Sequence, residues 1–372
     1  MGNCIIKTEP QDVKQMQNIL MVFSTAYFFI MYSHFGELLQ SLKKGCNLHI
    51  ASVDNRHNFG TRFQDVSFTE IGLGKFTINR KICYLLLPWI TLKTYFLVVR
   101  KNISTIVVFS GGYPQLVAHL TSLLSRKPVV VYLRVDHKKI REINLGSSVP
   151  VLIWDFLITW SIKHATHVIS LSHFLTEKAI AWGVPKNKIT LIPFGVDTDT
   201  FKPLEIDEKY PNSVVFVGRW SKEKGVDLLM RIADRMRDVN FILVGAEPNK
   251  IDINLPNLHP MGFVPHKDVA KYLALGKTLI STSKTEGQPM GCLEALACGK
   301  PVLANKTRGL SELIIPEVGW LFDGNRIESA VNVITNALKD SSVLHHKGKM
   351  AREYAMTFSW DCHAQRLLDL LD

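Results

Sequence analysis

Two basic side chains flank a short loop between an apolar segment and an amphipathic one. Arg219 and Lys224 follow the run Ser213–Val217 and precede the helical pattern Val226–Met236. A guanidinium can bind phosphate oxygens through paired hydrogen bonds and an ammonium adds a point charge, each contact being worth about 1.5–3 kcal/mol. Cations are unfavourable at a helix start, where the dipole is already positive, so a bound anion would relieve the misfit. The pattern favours an anion site over an unliganded basic loop.

Two carboxylates mark a second loop further along the chain. Glu286 follows the apolar run Thr278–Ser281, and Glu294 lies in the helical pattern Met290–Cys298. Backbone N–H groups at such a helix start can bind phosphate or sugar hydroxyls, and a carboxylate suits the vicinal hydroxyls of a ribose. Each glutamate alone also has an explanation without a ligand, Glu286 as a helix-start charge and Glu294 as a solvated helix residue.

Short apolar runs alternate with helical patterns along most of the chain, and these elements must position the charged side chains. The alternation predicts an α/β fold with doubly wound parallel sheets, in which ligands bind at the turns that follow the strands. The predicted strands are Ile19–Phe23, Leu48–Val53, Ile103–Phe109, Val129–Leu133, His167–Leu171, Ser213–Val217, Phe241–Val244, Leu258–Met261, Thr278–Ser281 and Pro301–Ala304.

The chain of 372 residues suits two domains of about 150–200 residues each. Proline, glycine and aspartate interrupt the pattern within Pro193–Pro203, which predicts an interdomain linker there. We expect an N-terminal tail at 1–16, a first domain at 17–195 and a second domain at 196–355. A C-terminal helix within 356–372 is expected to pack back towards the first domain.

Charge is distributed unevenly between the two halves. Residues 1–200 contain 22 Lys and Arg against 12 Asp and Glu, a net charge of +10, whereas residues 201–372 contain 22 against 21, a net of +1. A basic half indicates an anionic substrate or an anionic membrane surface, with a merely solvated surface as the alternative. No nucleic-acid-binding module or interleaved aromatic and basic stripe is present in the sequence, so we expect no nucleic-acid partner.

The six cysteines form no CxxC pair and are expected to be reduced structural thiols. The first residues lack a basic-then-apolar secretory signal, and no uncharged apolar stretch reaches about 18 residues. We therefore expect a cytoplasmic protein, with peripheral binding at the inner face of the membrane left open.

The two charged loops together resemble those of glycosyltransferase family 4, whose members are retaining enzymes with the GT-B fold. The resemblance is close over roughly residues 165–372 and weak over the first 160. The matching segments are Val217-Gly218-Arg219 with Lys224-Gly225, Glu286 with Glu294, Ala295 with Cys298-Gly299-Lys300-Pro301-Val302, Gly183-Val184-Pro185 with Ile192-Pro193-Phe194-Gly195-Val196-Asp197, Gly309 with Glu312, and Phe358-Ser359-Trp360.

The resemblance implies two Rossmann-like domains facing a central cleft, with a nucleotide-sugar donor held by the second. It implies that Arg219 and Lys224 hold the donor diphosphate, that Glu286 contacts the donor sugar and that Glu294 binds the ribose. The residues that it assigns to donor binding are Gly218, Arg219, Lys224, Gly287, Met290, Gly291 and Glu294, and those that it assigns to catalysis are Glu286 and His137.

His137 is carried over because family members often have a histidine after the corresponding strand of the first domain. Here Asp136-His137 follows the predicted strand that ends at Leu133. His137 would hydrogen-bond the donor sugar near the anomeric carbon, but a surface histidine beside Lys138 and Lys139 is the open alternative.

One departure concerns the acceptor side. Family members usually carry a Gly-Gly pair just after the first strand, whereas residues 25–34 read Thr-Ala-Tyr-Phe-Phe-Ile-Met-Tyr-Ser-His. An apolar acceptor such as a lipid carrier would suit this replacement.

We therefore expect a retaining glycosyltransferase of polysaccharide or glycolipid biosynthesis, which moves a sugar from a nucleotide-sugar donor to a glycan or lipid-linked acceptor. We expect no metal and no cofactor, because fixed cations can do the work of a divalent ion. A GT-B sugar-nucleotide epimerase and a non-enzymatic basic scaffold that binds an anionic surface are the alternatives.

Overall fold

A computed structural model shows that the chain divides into two compact units. The first unit comprises residues 1–137, 147–195 and 360–372, and the second comprises residues 138–146 and 196–359. The structure describes residues 16–23, 36–52, 67–71, 86–109, 112–145, 149–205, 209–246 and 255–372. Residues 25–34, where the sequence lacks the family's usual Gly-Gly pair, lie outside these ranges.

The first unit is built on a parallel sheet of seven strands in the order β3-β2-β1-β4-β5-β6-β7. Strands β4 and β5 are buried along their whole length, as expected for a sheet covered on both faces. The strands are β1 (Gln17–Phe23), β2 (Cys46–Ser52), β3 (Ser67–Glu70), β4 (Thr105–Val108), β5 (Val129–Leu133), β6 (His167–Ser170) and β7 (Ile189–Leu191).

Residues 36–43 form a helix that is left without a number. The numbered helices begin after β3. Helices α1, α2, α4 and α5 belong to the first unit. Only the first residue of α3 belongs to that unit, and the rest of α3 belongs to the second. They are α1 (Leu87–Arg100), α2 (Tyr113–Ser125), α3 (His137–Leu145), α4 (Val149–Lys163) and α5 (His173–Ala181).

The last helix, α12 (Trp360–Leu371), belongs to the first unit. Its His363 is buried and joins two parts of that unit: Nε2 lies 2.8 Å from the Tyr132 hydroxyl, and Nδ1 lies 2.8 Å from the Pro193 carbonyl oxygen. Because a carbonyl only accepts hydrogen bonds, Nδ1 carries the proton and Nε2 accepts from Tyr132. At the helix start, Ser41 and Lys44 both bind the Asp361 carboxylate.

The second unit contains a parallel sheet of six strands in the order β10-β9-β8-β11-β12-β13. One apolar cluster packs around Val215 and Leu296, and the other around Phe216 and Ile232, so neighbouring strand residues point into opposite layers. The strands are β8 (Ser213–Val217), β9 (Asn240–Val244), β10 (Leu258–Gly262), β11 (Thr278–Ser281), β12 (Val302–Asn305) and β13 (Gly319–Phe322), and the helices are α6 (Val226–Arg235), α7 (Val269–Ala274), α8 (Met290–Ala297), α9 (Arg308–Leu313), α10 (Ile327–Lys339) and α11 (Ser341–Ala355).

The predicted α/β fold class is confirmed, since both units are Rossmann-like parallel sheets flanked by helices. All ten predicted strands are present within a few residues of the expected bounds. The sequence interpretation missed β3, β7 and β13, which are only three or four residues long.

Among the residues that the structure describes, the cysteines differ from the expectation at one position. Cys46, Cys292 and Cys298 are free and buried, and burial raises the pKa of each thiol to about 12, which makes them unreactive at neutral pH. Cys362 is disulfide-bonded, so the prediction of six reduced thiols is wrong at this residue. Separately, none of the described helices is both long enough and apolar enough to cross a membrane.

Candidate functional site

The two charged loops follow neighbouring strands of the second sheet. Strand β8 pairs in parallel with β11, with Val214 opposite Thr278 and Val215 opposite Leu279. Parallel strands end at the same edge of a sheet, so the segments after Val217 and Ser281 emerge side by side. Residues that lie more than 60 positions apart in the sequence can therefore form one site.

Lys224 and Glu286 join these loops directly. Lys224 Nζ lies 2.6 Å from Glu286 Oε1, and the two side chains are 25% and 12% exposed. Ser283 Oγ donates to the same carboxylate oxygen at 2.7 Å. Thr282 Oγ1 also donates to the Lys224 carbonyl at 2.9 Å, which ties the backbones together. The structure thus brings these two predicted site residues into direct contact.

Arg219 has a different partner. Its Nη2 donates to Glu223 Oε1 at 2.9 Å; the arginine side chain is 61% exposed, whereas that of Glu223 is 5% exposed. Burial acts to raise the pKa of Glu223, but hydrogen bonds from its own backbone N–H and from Ser221, with the Arg219 charge, hold that pKa below its ordinary value. The carboxylate is therefore a fixed anion that orients an arginine whose guanidinium faces solvent.

These ion pairs change the sequence argument for a bound anion. The cations at the start of α6 were expected to need an external counter-ion. Glu223 and Glu286 already supply carboxylates to Arg219 and Lys224. The unfavourable position of these cations at a helix start therefore does not by itself require a bound anion. The case for an anion site depends on the N–H donors that remain, since Arg219 carries five and Lys224 carries three.

Two glycines permit the close approach of backbone segments here. Gly225 has φ +69°, and a Cβ on it would lie 1.9 Å from the Thr282 carbonyl oxygen. A Cβ on Gly309, at the start of α9, would lie 2.0 Å from the Glu286 carbonyl oxygen. Neither position admits a side chain without a shift of the backbone on which Lys224 and Glu286 are held.

Glu294 is buried on α8 with only 3% of its side chain exposed, so its interpretation as a solvated helix residue is wrong. His266 Nε2 lies 2.7 Å from Glu294 Oε1. The His266 ring packs against Phe201, with ring centroids 4.9 Å apart. A buried carboxylate is costly unless it is hydrogen-bonded, and His266 supplies a bond of this kind.

The remaining predicted donor-binding residues lie around the same loops. Gly218 follows β8 directly, Gly287 is buried in the turn after Glu286, and Met290 and Gly291 open helix α8 half-buried. Helix α8 begins after Pro289 with no side-chain cap among the described residues. Its first N–H groups are the kind that bind an anion.

A small cavity of about 20 Å³ lies beneath this edge and is lined by Lys224, Ser283, Glu286 and Gly291 among others. This volume holds about one water molecule, so a nucleotide would bind over the edge rather than inside the cavity. A wider concavity of about 500 Å³, near Glu317 and Lys347, contains none of the predicted site residues.

His137 lies in the first unit, whereas the loops above belong to the second. Within the first unit its Nε2 lies 3.3 Å from Thr159 Oγ1, and its ring packs against Trp182 with centroids 4.5 Å apart. These contacts do not decide between a donor contact and a surface histidine, and its catalytic role stays a prediction.

Three residues of the site were missed from the sequence. Glu223 stands four residues after Arg219, a spacing at which helical side chains meet, and this signal could have identified it. Ser283 lies three residues before Glu286 within the matched segment. His266 had no local signal, because its contact with Glu294 joins segments 28 residues apart. Among the residues that the structure describes, no group of three or more His, Cys, Asp or Glu is placed to hold a metal ion.

Comparison with family models decides the relationship. The model described as glycosyl transferases group 1 matches residues 197–354, and the model described as glycosyltransferase family 4 matches residues 35–200. The two matches adjoin near the predicted linker and leave only the ends of the chain outside. The chain belongs to glycosyltransferase family 4. The family predicted from the two charged loops is therefore confirmed.

Curated relatives of this family 4 glycosyltransferase include two named sugar transferases. The sulfoquinovosyl transferase of Arabidopsis thaliana is 25% identical over 57% of this chain and 48% of its own length. One human phosphatidylinositol N-acetylglucosaminyltransferase subunit is 30% identical over 43% of this chain and 36% of its own length. The chain thus spans about half or less of these relatives.

Solved structures of similar fold cover nearly the whole family 4 chain. Sucrose-phosphate synthase from Thermosynechococcus elongatus aligns with a TM-score of 0.77 at 19% identity, covering 95% of this chain and 98% of that one. Anabaena HepE in complex with UDP-glucose aligns with a TM-score of 0.74 at 17% identity, covering 95% and 99%. At such identities the similarity establishes the GT-B fold.

Proposed function

We propose that this protein transfers a sugar from a nucleotide-sugar donor to a glycan or lipid-linked acceptor, with retention of anomeric configuration and without a metal ion. The observation that carries the proposal is the contact between Lys224 and Glu286 across two adjacent loops of the second sheet. It holds a cation and a carboxylate side by side at the edge where nucleotides bind in open α/β sheets.

The cations would stabilise the leaving group. In the proposed step the bond between the anomeric carbon and the diphosphate oxygen breaks, and that oxygen keeps the electron pair. Lys224 and Arg219, with the N–H groups that open α8, would bind the charge that grows on the diphosphate. Their geometry is fixed in advance by Glu286 and Glu223, which lowers the cost of orienting them.

The carboxylates would position the donor. Glu286 is half-buried beside Ser283 and Lys224 and would bind the sugar hydroxyls. Glu294, which His266 holds in place, would bind the ribose hydroxyls, since a carboxylate can accept several hydrogen bonds. We assign His266 as a positioning residue, which orients Glu294 without contact to the reacting atoms.

The acceptor hydroxyl forms the new bond to the anomeric carbon, and its proton leaves with the diphosphate or passes to solvent. The products are a glycoside, a nucleoside diphosphate and a proton. His137 is proposed as a contact of the donor sugar. Retention follows from the family, and nuclear magnetic resonance of the anomeric proton in the product would test it.

Substrate classes are proposed from relatives and from composition. The HepE structure that shares the fold holds UDP-glucose, so uridine diphosphate sugars are the first donors to test. The name phosphatidylinositol N-acetylglucosaminyltransferase supports a lipid acceptor, which also suits the apolar residues 25–34. We propose a cytoplasmic location, with peripheral binding to an anionic membrane face and no nucleic-acid partner.

A thermal-shift screen with nucleoside diphosphates and nucleotide sugars would identify the donor, because a ligand that binds the native state raises the melting temperature. Release of nucleoside diphosphate only when an acceptor is present would support transfer, whereas conversion of the nucleotide sugar without an acceptor would indicate an epimerase. Lys224→Ala should lose the thermal shift with its own melting temperature nearly unchanged; a wild-type shift in this variant would reject the site.

A further inference from the structure

Helix α1 of the first unit exposes a row of large apolar side chains. Trp89, Leu92, Phe96 and Val99 recur at helical spacing, and Phe96 is 66% exposed. The buried side of α1 is formed by other residues, including Ile90 and Leu97. A surface helix normally presents polar side chains to water, whereas the outward face of α1 is apolar and is left exposed by the residues that the structure describes.

The neighbouring helices continue this apolar surface. Helix α1 packs against α2, and α2 packs against α4, where Gln115 Nε2 donates to Ser161 Oγ at 2.6 Å. Helix α2 exposes Leu123 and Leu124 near its end.

Helix α4 is apolar around most of its circumference, which is typical of a helix covered on every side. Yet Leu152, Ile153 and Phe156 are exposed on one face, and Phe156 is 67% exposed. The exposed rows of α1, α2 and α4 are here called the apolar helix layer.

Charge in the segment that contains α1 and α2 has one sign, whereas α4 contains Asp155 and Lys163. Residues 71–135 contain nine Lys and Arg and no Asp or Glu. Lys93 and Arg100 lie on α1 beside the exposed row, and Lys93 Nζ is 4.0 Å from the centroid of the Trp89 ring. Arg126 and Lys127 follow α2 directly. Basic side chains with long apolar stems beside a tryptophan are the arrangement that suits the headgroup region of a bilayer.

We propose that the apolar helix layer inserts into the surface of an anionic lipid bilayer. Its apolar side chains would enter the boundary between headgroups and acyl chains, and the basic residues around them would bind lipid phosphates. A protein partner with an acidic and apolar face could also bind these side chains. We favour a bilayer because residues 71–135 contain only basic charges, which complement an extended anionic surface. The inference is independent of the donor site, because every residue in it belongs to the first unit.

Vesicle co-sedimentation at low salt tests the proposal on the full chain. Wild type should bind vesicles of phosphatidylcholine with phosphatidylglycerol and bind pure phosphatidylcholine much more weakly. A Leu92→Gln, Phe96→Gln, Val99→Gln variant should lose binding by on the order of a hundredfold. The matched control is Phe263→Gln with Met356→Gln, which removes two exposed apolar side chains of the second unit and should bind like wild type.

The charge contribution has its own pair of variants. Lys93→Gln with Arg100→Gln should weaken binding and reduce its dependence on salt, whereas Lys339→Gln with Lys349→Gln, which are exposed in the second unit, should do neither. A Phe96→Trp reporter should show a blue-shifted emission when anionic vesicles are added. Thermal unfolding of each variant establishes that it is folded.

Several outcomes would overturn the proposal. They are failure of the wild type to bind anionic vesicles, equal binding by the triple variant, and an unshifted Phe96→Trp emission. Loss of self-association in the triple variant, with vesicle binding intact, would assign the layer to an interface between copies of the chain instead. The donor thermal shift should be unchanged in every layer variant. Failure here would therefore reject the peripheral membrane binding proposed above and leave the proposed sugar transfer standing.

Discussion

His266 and Glu294 form a hydrogen bond of 2.7 Å between a half-buried imidazole and a carboxylate that is almost wholly buried. The bond joins the segment after β10 to the interior face of α8. It holds the Glu294 carboxylate in place on the helix that follows the Glu286 loop. The site is therefore organised by contacts that the linear motif does not contain.

We predict that His266→Ala weakens donor binding. Loss of the bond frees the Glu294 carboxylate to rotate, so KM for the nucleotide sugar should rise about tenfold while kcat changes little. His266→Gln, which keeps an N–H donor, should restore most of the affinity. His259→Ala is the matched control, since His259 is also half-buried and bonds Asn240 in the same unit. An equal rise in KM for His259→Ala would mean that the effect is structural.

Lys224 should be needed for transfer and less needed for folding. We expect Lys224→Met to lower kcat/KM by about a hundredfold to a thousandfold, because a fixed cation at the developing charge is lost. Lys284→Met is the control, since Lys284 lies in the partner loop but pairs with Asp227 at the surface. Steady-state kinetics and thermal unfolding measure both effects. If the Lys284 variant loses as much activity as the Lys224 variant, the specific role of Lys224 is rejected.

Glu223 should act through Arg219. Glu223→Gln removes the buried charge that orients the guanidinium, and we expect weaker binding of a nucleoside diphosphate by a few-fold with a loss of about 1–3 kcal/mol in unfolding free energy. Arg219→Ala should weaken binding more but destabilise less, because its side chain is exposed. Calorimetric titration and denaturant unfolding separate the two effects. Additive losses of binding in the double variant would contradict the coupling.

His363 should make the stability of the first unit fall in mild acid. Burial lowers the pKa of His363 to about 4 from an ordinary value of 6.5, although its bond to Pro193 acts to raise it. The unfolded state therefore binds a proton that the folded state excludes, so stability is complete above pH 6.5 and is lost progressively as the pH falls towards 4. The shift corresponds to about 3 kcal/mol.

Denaturant unfolding at several pH values measures how the free energy of unfolding changes with pH. His363→Gln should make this change smaller. His49, His119 and His259 also have lowered pKa values, so the difference between wild type and variant isolates His363. The lowered pKa values of Asp268, Asp340 and Asp361 act below about 3.8, and that of Glu223 acts below its ordinary value of 4.5, so only Glu223 overlaps the acid end of this window. An unchanged slope in the variant would show that His363 does not contribute.

Removal of divalent cations should leave transfer intact, because Arg219, Lys224 and helix N–H groups are proposed to neutralise the diphosphate. Initial rates after chelation and dialysis, compared with rates after added magnesium, measure this. Activity that disappears on chelation and returns with magnesium would reject the metal-independent step.

Much of the fold and the centre of the site follow from the sequence. Continuous apolar runs such as Val129–Leu133 identify buried strands, and glycines at loop ends mark where the chain must pass close to itself. The proximity of Lys224 and Glu286 was predictable, because each residue follows a strand and neighbouring parallel strands end at one edge of the sheet.

The pairing of charges was not predictable in the same way. Glu294 has a partner, His266, that depends on burial and on side-chain direction, which a linear pattern does not specify. The burial of Glu294 is an example, since its neighbours on α8 are equally consistent with an exposed position until the helix is packed. Short strands such as β7 depend on pairing with a neighbour for their existence and leave little local signal.

Helix α12 is the last element of the chain, yet Gln17 at the start of β1 donates to the Leu371 carbonyl at 3.1 Å. During synthesis the first sheet emerges early from the ribosome but lacks this helix until residues 360–372 have followed. The second unit, which is almost continuous in sequence, is therefore complete before the first. We expect a ribosome-stalled chain that ends before Trp360 to protect the second sheet from protease and to leave the first one open to cleavage.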